Sequence, residues 1–270
     1  MNRTIQFQAI ENARDIGGLQ TAHGHKIRSG MLVRSGNLSR ATDSDVAVLQ
    51  DRYKLTDVFD FRFDKEAEAD PDRRIPGVRY TSLSTLPREM IEGFSSGRGD
   101  SGQQNSSDFV ASLVRYASVP QAQALAKRLY PSIISSPESQ KHYGDFLRGV
   151  LYAAGGSLWH CSQGKDRAGL ATAFLLTALG ADRETIIADF NESNAYYGKY
   201  IAQLSEQVLQ RGGDEDALDF IRAMVGVSVK NFCAGLDLID SMYGSLPAYV
   251  ENQLGFIAPE CARLRERYLE

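Results

Sequence analysis

The sequence is poor in cysteine and histidine, and this scarcity limits the chemistry open to it. Its 270 residues include three cysteines, Cys161, Cys233 and Cys261, which are far apart and odd in number. Such usage argues against a disulfide framework and favours a reducing compartment or free thiols. The four histidines show no metal-ligand spacing with any cysteine. We therefore expect neither a metal site nor a cofactor.

Strong net charge and long apolar segments are also lacking. A net charge of -4 and a pI near 5.7 give no general attraction to nucleic acid or to anionic lipid. The N-terminal stretch is not apolar enough for a signal peptide, and the longest apolar run, residues 168 to 179, is too short to cross a bilayer. These absences predict a cytoplasmic protein without an integral membrane segment, although they leave export by a specialised secretion system open.

Short apolar segments alternate with helical patterns along most of the chain. The composition, 43% hydrophobic and 24% charged, suits one large α/β domain or two small ones. The alternation predicts an α/β fold: a single domain over residues 1 to 270, with a central, mainly parallel sheet flanked by helices. Strands are expected near residues 31 to 35, 55 to 61, 78 to 83 and 157 to 159. Helices are expected after Thr42 or Asp43, from about 139, from 168 and after Asp182.

The composition changes between residues 87 and 108, where glycine and serine dominate. Such a mixture favours solvated backbone over a packed core. Helical patterns resume over 109 to 116 and 121 to 130, and we expect Pro120 and Pro131 to break them. We therefore predict that residues 87 to 138 form a flexible or helical insertion, which serves either as a lid or as a decorative addition.

One segment carries chemistry: the loop from Cys161 to Arg167, which follows a short apolar strand and precedes an apolar helix. Backbone N–H groups curled at a helix N-terminus converge on the oxygens of a phosphoryl group, and the helix dipole favours both the anion and a cysteine thiolate. Gly164 lets the backbone approach closely. Arg167 offers a planar fork that lysine cannot imitate. The pattern predicts Cys161 as nucleophile, with Ser162, Gln163, Gly164, Lys165, Asp166 and Arg167 binding the substrate.

The loop, with His160 before Cys161, resembles the signature of the protein tyrosine phosphatase superfamily. Residues 164 to 167, together with 12 to 18, 33 to 38 and 57 to 62, are similar to the bacterial tyrosine phosphatases with phosphoinositide activity, the group that includes mycobacterial and Listeria secreted enzymes. This resemblance implies a tyrosine, dual-specificity or phosphoinositide phosphatase that acts through a cysteinyl-phosphate on a phosphorylated protein or phosphoinositide. Ala168 departs from the pattern, because the family usually has a hydroxyl there that assists breakdown of the phosphoenzyme.

Leaving-group protonation needs a carboxylic acid near the phosphate, and three residues qualify. Asp166 lies inside the loop and is linked to catalysis in the resembled group. Asp60 ends a predicted strand, where side chains often face an α/β active site, but it would equally form a structural ion pair with Arg62 or Arg14. Glu89 lies in the predicted insertion.

Three basic residues have two interpretations each. Lys165 adds a positive charge that would favour a multiply phosphorylated head group, or it is a solvated lysine at the loop rim. For Arg14 and Arg34, a structural role behind the loop is favoured over ligand contact.

Tyr196, Tyr197 and Tyr200 either line a pocket or belong to the core.

Two other functions would use the same kind of loop. A phosphate-binding module without turnover is disfavoured, because Cys161 and Arg167 are both present. A rhodanese-like sulfurtransferase also has a cysteine at the start of an anion-binding loop, but His160 and residues 165 to 167 fit phosphate better.

Overall fold

A five-stranded sheet forms the centre of the computed structural model, which describes residues 3–88, 90 and 120–270. The strands are β1 (Arg14–Asp15), β2 (Leu32–Ser35), β3 (Leu55–Asp60), β4 (Arg79–Ser82) and β5 (Gly156–His160). Their order across the sheet is β1-β2-β5-β3-β4. β2, β5, β3 and β4 run parallel, and only the two-residue β1 is antiparallel to its neighbour. The predicted α/β fold with a mainly parallel sheet is confirmed.

Helices surround this sheet. They are α1 (Asp43–Asp51), α2 (Asp64–Ala69), α3 (Pro120–Ser135), α4 (Pro137–Tyr152), α5 (Asp166–Leu179), α6 (Arg183–Gln210), α7 (Glu215–Val225), α8 (Val229–Tyr243), α9 (Leu246–Asn252) and α10 (Ala258–Tyr268). Among the described residues, no helix combines the length and hydropathy needed to span a membrane.

The local sequence explains where several helices begin and end. Thr42 caps α1 through a capping box with Asp45, and Asp182 caps α6 by accepting from the backbone N–H of Thr185. Gly180 ends α5 in the left-handed conformation, with φ of 91°. These boundaries agree with those expected from the sequence.

The prediction that Pro131 breaks a helix is wrong, because α3 continues through it to Ser135. Proline removes one helical hydrogen bond, and the helix tolerates this loss because Tyr130, Ile133 and Ile134 are buried in the main core. The described end of the predicted insertion therefore packs as part of the domain. The helix expected at 109 to 116 lies outside the described residues, and the lid role of 87 to 138 stays a prediction.

Helix α5 lies at the centre of the core. Every residue from Ala168 to Leu179 is buried, and the helix contacts α4, α6, α9, α10 and the strands β2 and β5. These contacts fix the position of α5. Its N-terminus, which follows β5 through a short loop, therefore lies at the carboxyl ends of β2, β5 and β3. That is the edge where α/β sheets usually place their ligand sites.

Candidate active site

The phosphate loop, residues 161 to 167, joins β5 to α5. Cys161 directly follows β5 and is buried, and Asp166 and Arg167 form the first turn of α5. The strand, loop and helix that the sequence predicted are therefore present. The backbone N–H groups of the first helical turn have no partner within the helix, so this end is suited to an anion.

Two buried side chains fasten the loop from behind. Arg34 donates from Nε to the carbonyl oxygen of Gly164 at 2.9 Å and from Nη2 to that of Lys165 at 2.8 Å. Asn12 donates from Nδ2 to the carbonyl oxygens of Gln163 at 3.0 Å and Gly164 at 3.1 Å. Arg34 is fully buried, so the structural role favoured from the sequence is the one it has here.

The loop carbonyls face away from the anion side. Asn37 donates to the carbonyl oxygen of Ser162 from both its backbone and its side chain, and the Tyr197 hydroxyl donates to that of Gln163 at 3.2 Å. In a trans peptide the N–H points opposite to the preceding C=O. Fixing the carbonyls of residues 162 to 165 outward therefore directs the N–H groups of residues 163 to 166 inward.

Gly164 is required by the close approach of two backbone segments. Its φ is 66°, and a Cβ built on it would lie 2.2 Å from the carbonyl oxygen of Ser35. Any other residue would be strained by the positive φ and would also collide with β2.

The side chains behind the loop belong to a buried ionic group that we call the Asp189 network: Arg3, Arg14, Arg34, Asp189 and Glu192. The Asp189 carboxylate lies 2.8 Å from Arg3 Nη2, 3.1 Å from Arg14 Nε and 3.0 Å from Arg34 Nη1. Burial alone would raise the pKa of Asp189, but the three guanidinium groups hold it well below its ordinary value. Burial and the neighbouring Arg14 lower the pKa of Arg34 to about 9.

Glu66 on α2 fixes the arginine that ends the loop. Its carboxylate accepts from Arg167 Nη1 at 2.6 Å and from Nη2 at 3.0 Å, and it also accepts from the Ser162 hydroxyl at 2.9 Å. Burial opposes the charged forms of both Arg167 and Glu66. Cys161 and Glu66 nevertheless raise the pKa of Arg167, and Arg167 and Ser162 lower that of Glu66. The guanidinium therefore stays charged in a fixed orientation.

Asp60 pairs with Arg62. Its Oδ1 accepts from Arg62 N and Nε, and its Oδ2 accepts from Nε at 3.0 Å and Nη2 at 2.8 Å. Both oxygens are thus engaged, in the structural ion pair that the sequence analysis weighed against a role as general acid. The pairing is with Arg62 and not with Arg14, which binds Asp189 instead.

A second buried ionic group lies at the end of β5, and we call it the His160 cluster: Asp60, Arg62, Asp72 and His160. His160 Nε2 lies 3.0 Å from Asp72 Oδ2, and Nδ1 lies 3.1 Å from the carbonyl oxygen of Cys161. Burial alone would lower the pKa of His160, but Asp60 and Asp72 raise it above its ordinary value. The two nearby carboxylates therefore favour the imidazolium, although Nε2 faces Asp72 without the geometry of a hydrogen bond.

Three members of the His160 cluster have the atoms that a metal site would need. One ligand atom each from Asp60, Asp72 and His160 lies within 4.8 Å of the others. However, Arg62 Nη2 lies 2.8 Å from Asp60 Oδ2 and 3.0 Å from Asp72 Oδ2. This guanidinium already places a positive charge between the two carboxylates. The ion pair therefore occupies the carboxylate oxygens that a metal ion would need as ligands.

Lys165 is not a solvated residue at the loop rim. It is 3% exposed, and its Nζ donates to the carbonyl oxygens of Met224 at 2.7 Å and Val225 at 3.0 Å, at the carboxyl end of α7. Burial lowers its pKa, although Asp166 and Cys161 oppose this shift. A cavity of about 150 Å³ adjoins it, lined also by Gln163.

Asp166 stands at the start of α5 and borders the same cavity. Its Oδ1 accepts a hydrogen bond of 2.5 Å from the hydroxyl of Tyr130, which is buried on α3.

The remaining candidates have varied positions. Glu89 lies outside the described residues. Tyr197 is buried and supports the loop, whereas Tyr196 and Tyr200 are exposed, so the three tyrosines do not form one pocket. Cys233, outside the candidate site, is a free thiol of intermediate exposure.

Sequence reasoning missed Glu66, Asp72, Asp189 and Tyr130. Glu66 has one local signal, since it is the third residue of α2 and its side chain accepts from the backbone N–H of Phe63. Asp189 has another, since an acid beside Phe190 on an apolar helix face needs a buried partner. The other two depend on long-range contacts.

Three comparisons identify relatives of the chain. A model of the tyrosine phosphatase family matches residues 5–270. A Cupriavidus necator protein that bears a tyrosine-protein phosphatase name is 30% identical over 98% of this chain and 88% of its own length. The triple specificity protein phosphatase PtpB of Mycobacterium tuberculosis is 28% identical over 89% of this chain and 90% of its own length.

Among solved structures, P. aeruginosa TpbA covers 74% of this chain and 89% of its own, at 21% identity and a TM-score of 0.30. A superposition at that score adds nothing to the assignment. The match over nearly the whole sequence, together with the cysteine loop at the helix N-terminus, places the chain in the tyrosine phosphatase family, whose members hydrolyse phosphomonoesters.

Proposed function

We propose that this phosphatase acts through Cys161 as nucleophile, with Arg167 and the loop amides as the phosphate grip. The observation that carries the proposal is the orientation of the loop. Its carbonyls are fastened outward by Asn12 and Arg34, which leaves its N–H groups directed inward beside Cys161. Donors fixed in this way before the substrate arrives need no reorganisation when charge develops on the phosphoryl oxygens.

The reaction has two steps. In the first, the thiolate of Cys161 attacks phosphorus, the bond to the leaving oxygen breaks, and that oxygen takes the proton of Asp166. In the second, water attacks phosphorus, the S–P bond breaks, and Asp166 takes the proton from water. Arg167, oriented by Glu66, stabilises the charge on the phosphoryl oxygens in both steps. Asp166 is proposed as the acid because both oxygens of Asp60 are engaged by Arg62.

The substrate class proposed is phosphotyrosine in proteins together with phosphoinositides. The triple specificity in the name of the mycobacterial relative supports a broad range. Lys165 supports the phosphoinositide part, since this residue borders a cavity beside the loop that would receive a second phosphate group. Two of its donors are bound by carbonyl oxygens of α7. An ammonium has three donors, so one is available to such a phosphate.

The test is a hydrolysis panel without added metal. Wild type, Cys161→Ser, Lys165→Met and two controls are assayed on p-nitrophenyl phosphate, phosphotyrosine and phosphoserine peptides, and phosphoinositide vesicles. Cys161→Ser should lose phosphate release on every substrate, whereas Cys233→Ser should retain it. Release by Cys161→Ser would remove Cys161 from the mechanism, and a wild type without release would exclude the enzyme.

The Lys165→Met arm tests the substrate class. Its kcat/KM should fall roughly tenfold more on phosphoinositide than on the phosphotyrosine peptide, because a buried charged hydrogen bond to phosphate contributes about that much. Lys141, which is exposed, provides the matched control, and Lys141→Met should leave the ratio unchanged. An equal fall on both substrates for Lys165→Met would contradict the phosphoinositide part alone.

A further inference from the structure

Tyr130 is a buried residue outside the phosphate loop whose hydroxyl donates a hydrogen bond to Asp166, the proposed general acid. It lies on α3, and its ring packs edge-on against Phe190 and Phe232, with centroids 6.2 and 5.9 Å away. Gly235 lies beneath it, where an added Cβ would come within 3.0 Å of Tyr130 Cβ. The ring is therefore held in one position, and its hydroxyl has little freedom to leave Asp166.

The hydrogen bond between the two residues has a fixed direction. Burial raises the pKa of Tyr130 well above its ordinary value, and the hydrogen bond to Asp166 raises it further. The hydroxyl therefore keeps its proton and donates to Oδ1 of Asp166, at 2.5 Å. This leaves Oδ2 as the oxygen that can carry the transferred proton.

We infer that Tyr130 is a positioning residue that orients the carboxyl group of Asp166 and stabilises it after proton transfer. The inference rests on the proposed function, in which the Asp166 proton passes to the leaving oxygen as the P–O bond breaks. When the carboxyl group becomes a carboxylate, the hydrogen bond from Tyr130 becomes charge-assisted and strengthens. An interaction that is stronger in the transition state than in the ground state accelerates the reaction.

This role predicts an effect that depends on the leaving group. A poor leaving group needs the proton in the transition state, whereas a good one departs without it. Tyr130→Phe should lower kcat/KM roughly tenfold on phenyl phosphate and less than about twofold on p-nitrophenyl phosphate. The ratio of the two values is independent of the fraction of enzyme that is folded, so a loss of stability cannot produce the result.

The experiment is a double-mutant cycle with Tyr130→Phe and Asp166→Asn, assayed on both substrates. In the Asp166→Asn background, Tyr130→Phe should leave the ratio unchanged, because the proton it acts on is gone. Tyr249→Phe is the matched control. Tyr249 is also buried, and its hydroxyl donates to the carbonyl oxygen of Ile134 on α3, the helix that carries Tyr130, at 2.8 Å. It should destabilise the protein without changing the ratio.

Two results would overturn the inference: an equal loss on both substrates for Tyr130→Phe, or a further change of the ratio in the Asp166→Asn background. Either result is compatible with Cys161-dependent hydrolysis by the wild type. Failure of the Tyr130 role is therefore distinguishable from failure of the proposed function, which would appear as activity that survives Cys161→Ser.

Discussion

Two buried ionic groups flank the phosphate loop, and they differ in composition and in what they hold. In the Asp189 network, three guanidinium groups meet two carboxylates, and Arg34 extends from it to the carbonyls of Gly164 and Lys165. In the His160 cluster, one guanidinium and one imidazole meet two carboxylates, and His160 extends to the carbonyl of Cys161.

The difference separates two tasks. The Asp189 network fixes the shape of the loop, and the lowered pKa of Asp189 keeps its central carboxylate charged at neutral pH. The His160 cluster fixes the end of β5, and its charge depends on a histidine that titrates nearer neutrality. We therefore expect the Asp189 network to contribute the same stability and loop geometry throughout the neutral pH range. The His160 cluster should make part of the stability depend on pH.

The largest effect should come from Asp189→Asn. It leaves three buried arginines without their shared carboxylate, and breaking a buried ion pair from one side costs about 3–5 kcal/mol. Urea unfolding at pH 7 measures this loss. Glu192→Gln is the control from the same network, and because that side chain is 42% exposed, its cost should stay below about 1 kcal/mol. Equal costs would mean that Asp189 is not the centre of the network.

The second effect concerns loop geometry. Arg34→Lys keeps the positive charge but loses the fork that binds two loop carbonyls, so kcat/KM should fall roughly 10- to 100-fold. Arg14 also binds Asp189 through its guanidinium, which donates hydrogen bonds to Asn12 and Asp189 rather than to the loop. Arg14→Lys should therefore cost similar stability with a smaller loss of kcat/KM. Equal kinetic losses would show that the network acts through stability alone.

The smallest effect separates the two groups by pH. Asp72→Asn should destabilise the protein by about 1–3 kcal/mol at pH 6, where His160 is charged. Because the folded-state pKa of His160 is raised, the stability it contributes is complete below its unfolded pKa, about 6.5, and is lost as pH rises through the folded value.

The difference in unfolding free energy between wild type and Asp72→Asn should therefore shrink between pH 6 and pH 8. Over the same range, the difference for Asp189→Asn should stay constant, because the lowered pKa of Asp189 confines its titration to acid pH. Asp70→Asn, at an exposed neighbouring position, should show a small and constant difference. A constant difference for Asp72→Asn would contradict the charged state assigned to His160.

The sequence determined the loop and the family and predicted the nucleophile, because these depend on neighbouring residues. Cys161, Gly164 and Arg167 lie within seven positions, and the apolar strand and helix on either side were readable from hydrophobic pattern alone. Helix ends at Thr42, Gly180 and Asp182 were readable for the same reason, since capping is local chemistry.

Only the tertiary structure decided which charged groups meet. Glu66 lies 101 positions from Arg167, and Asp189 lies 155 from Arg34, yet each pair shares a buried hydrogen bond. Lys165 faces the end of α7 instead of solvent for the same reason. Burial of a charge is tolerated only with a partner, and which partner is available depends on packing that no local pattern encodes.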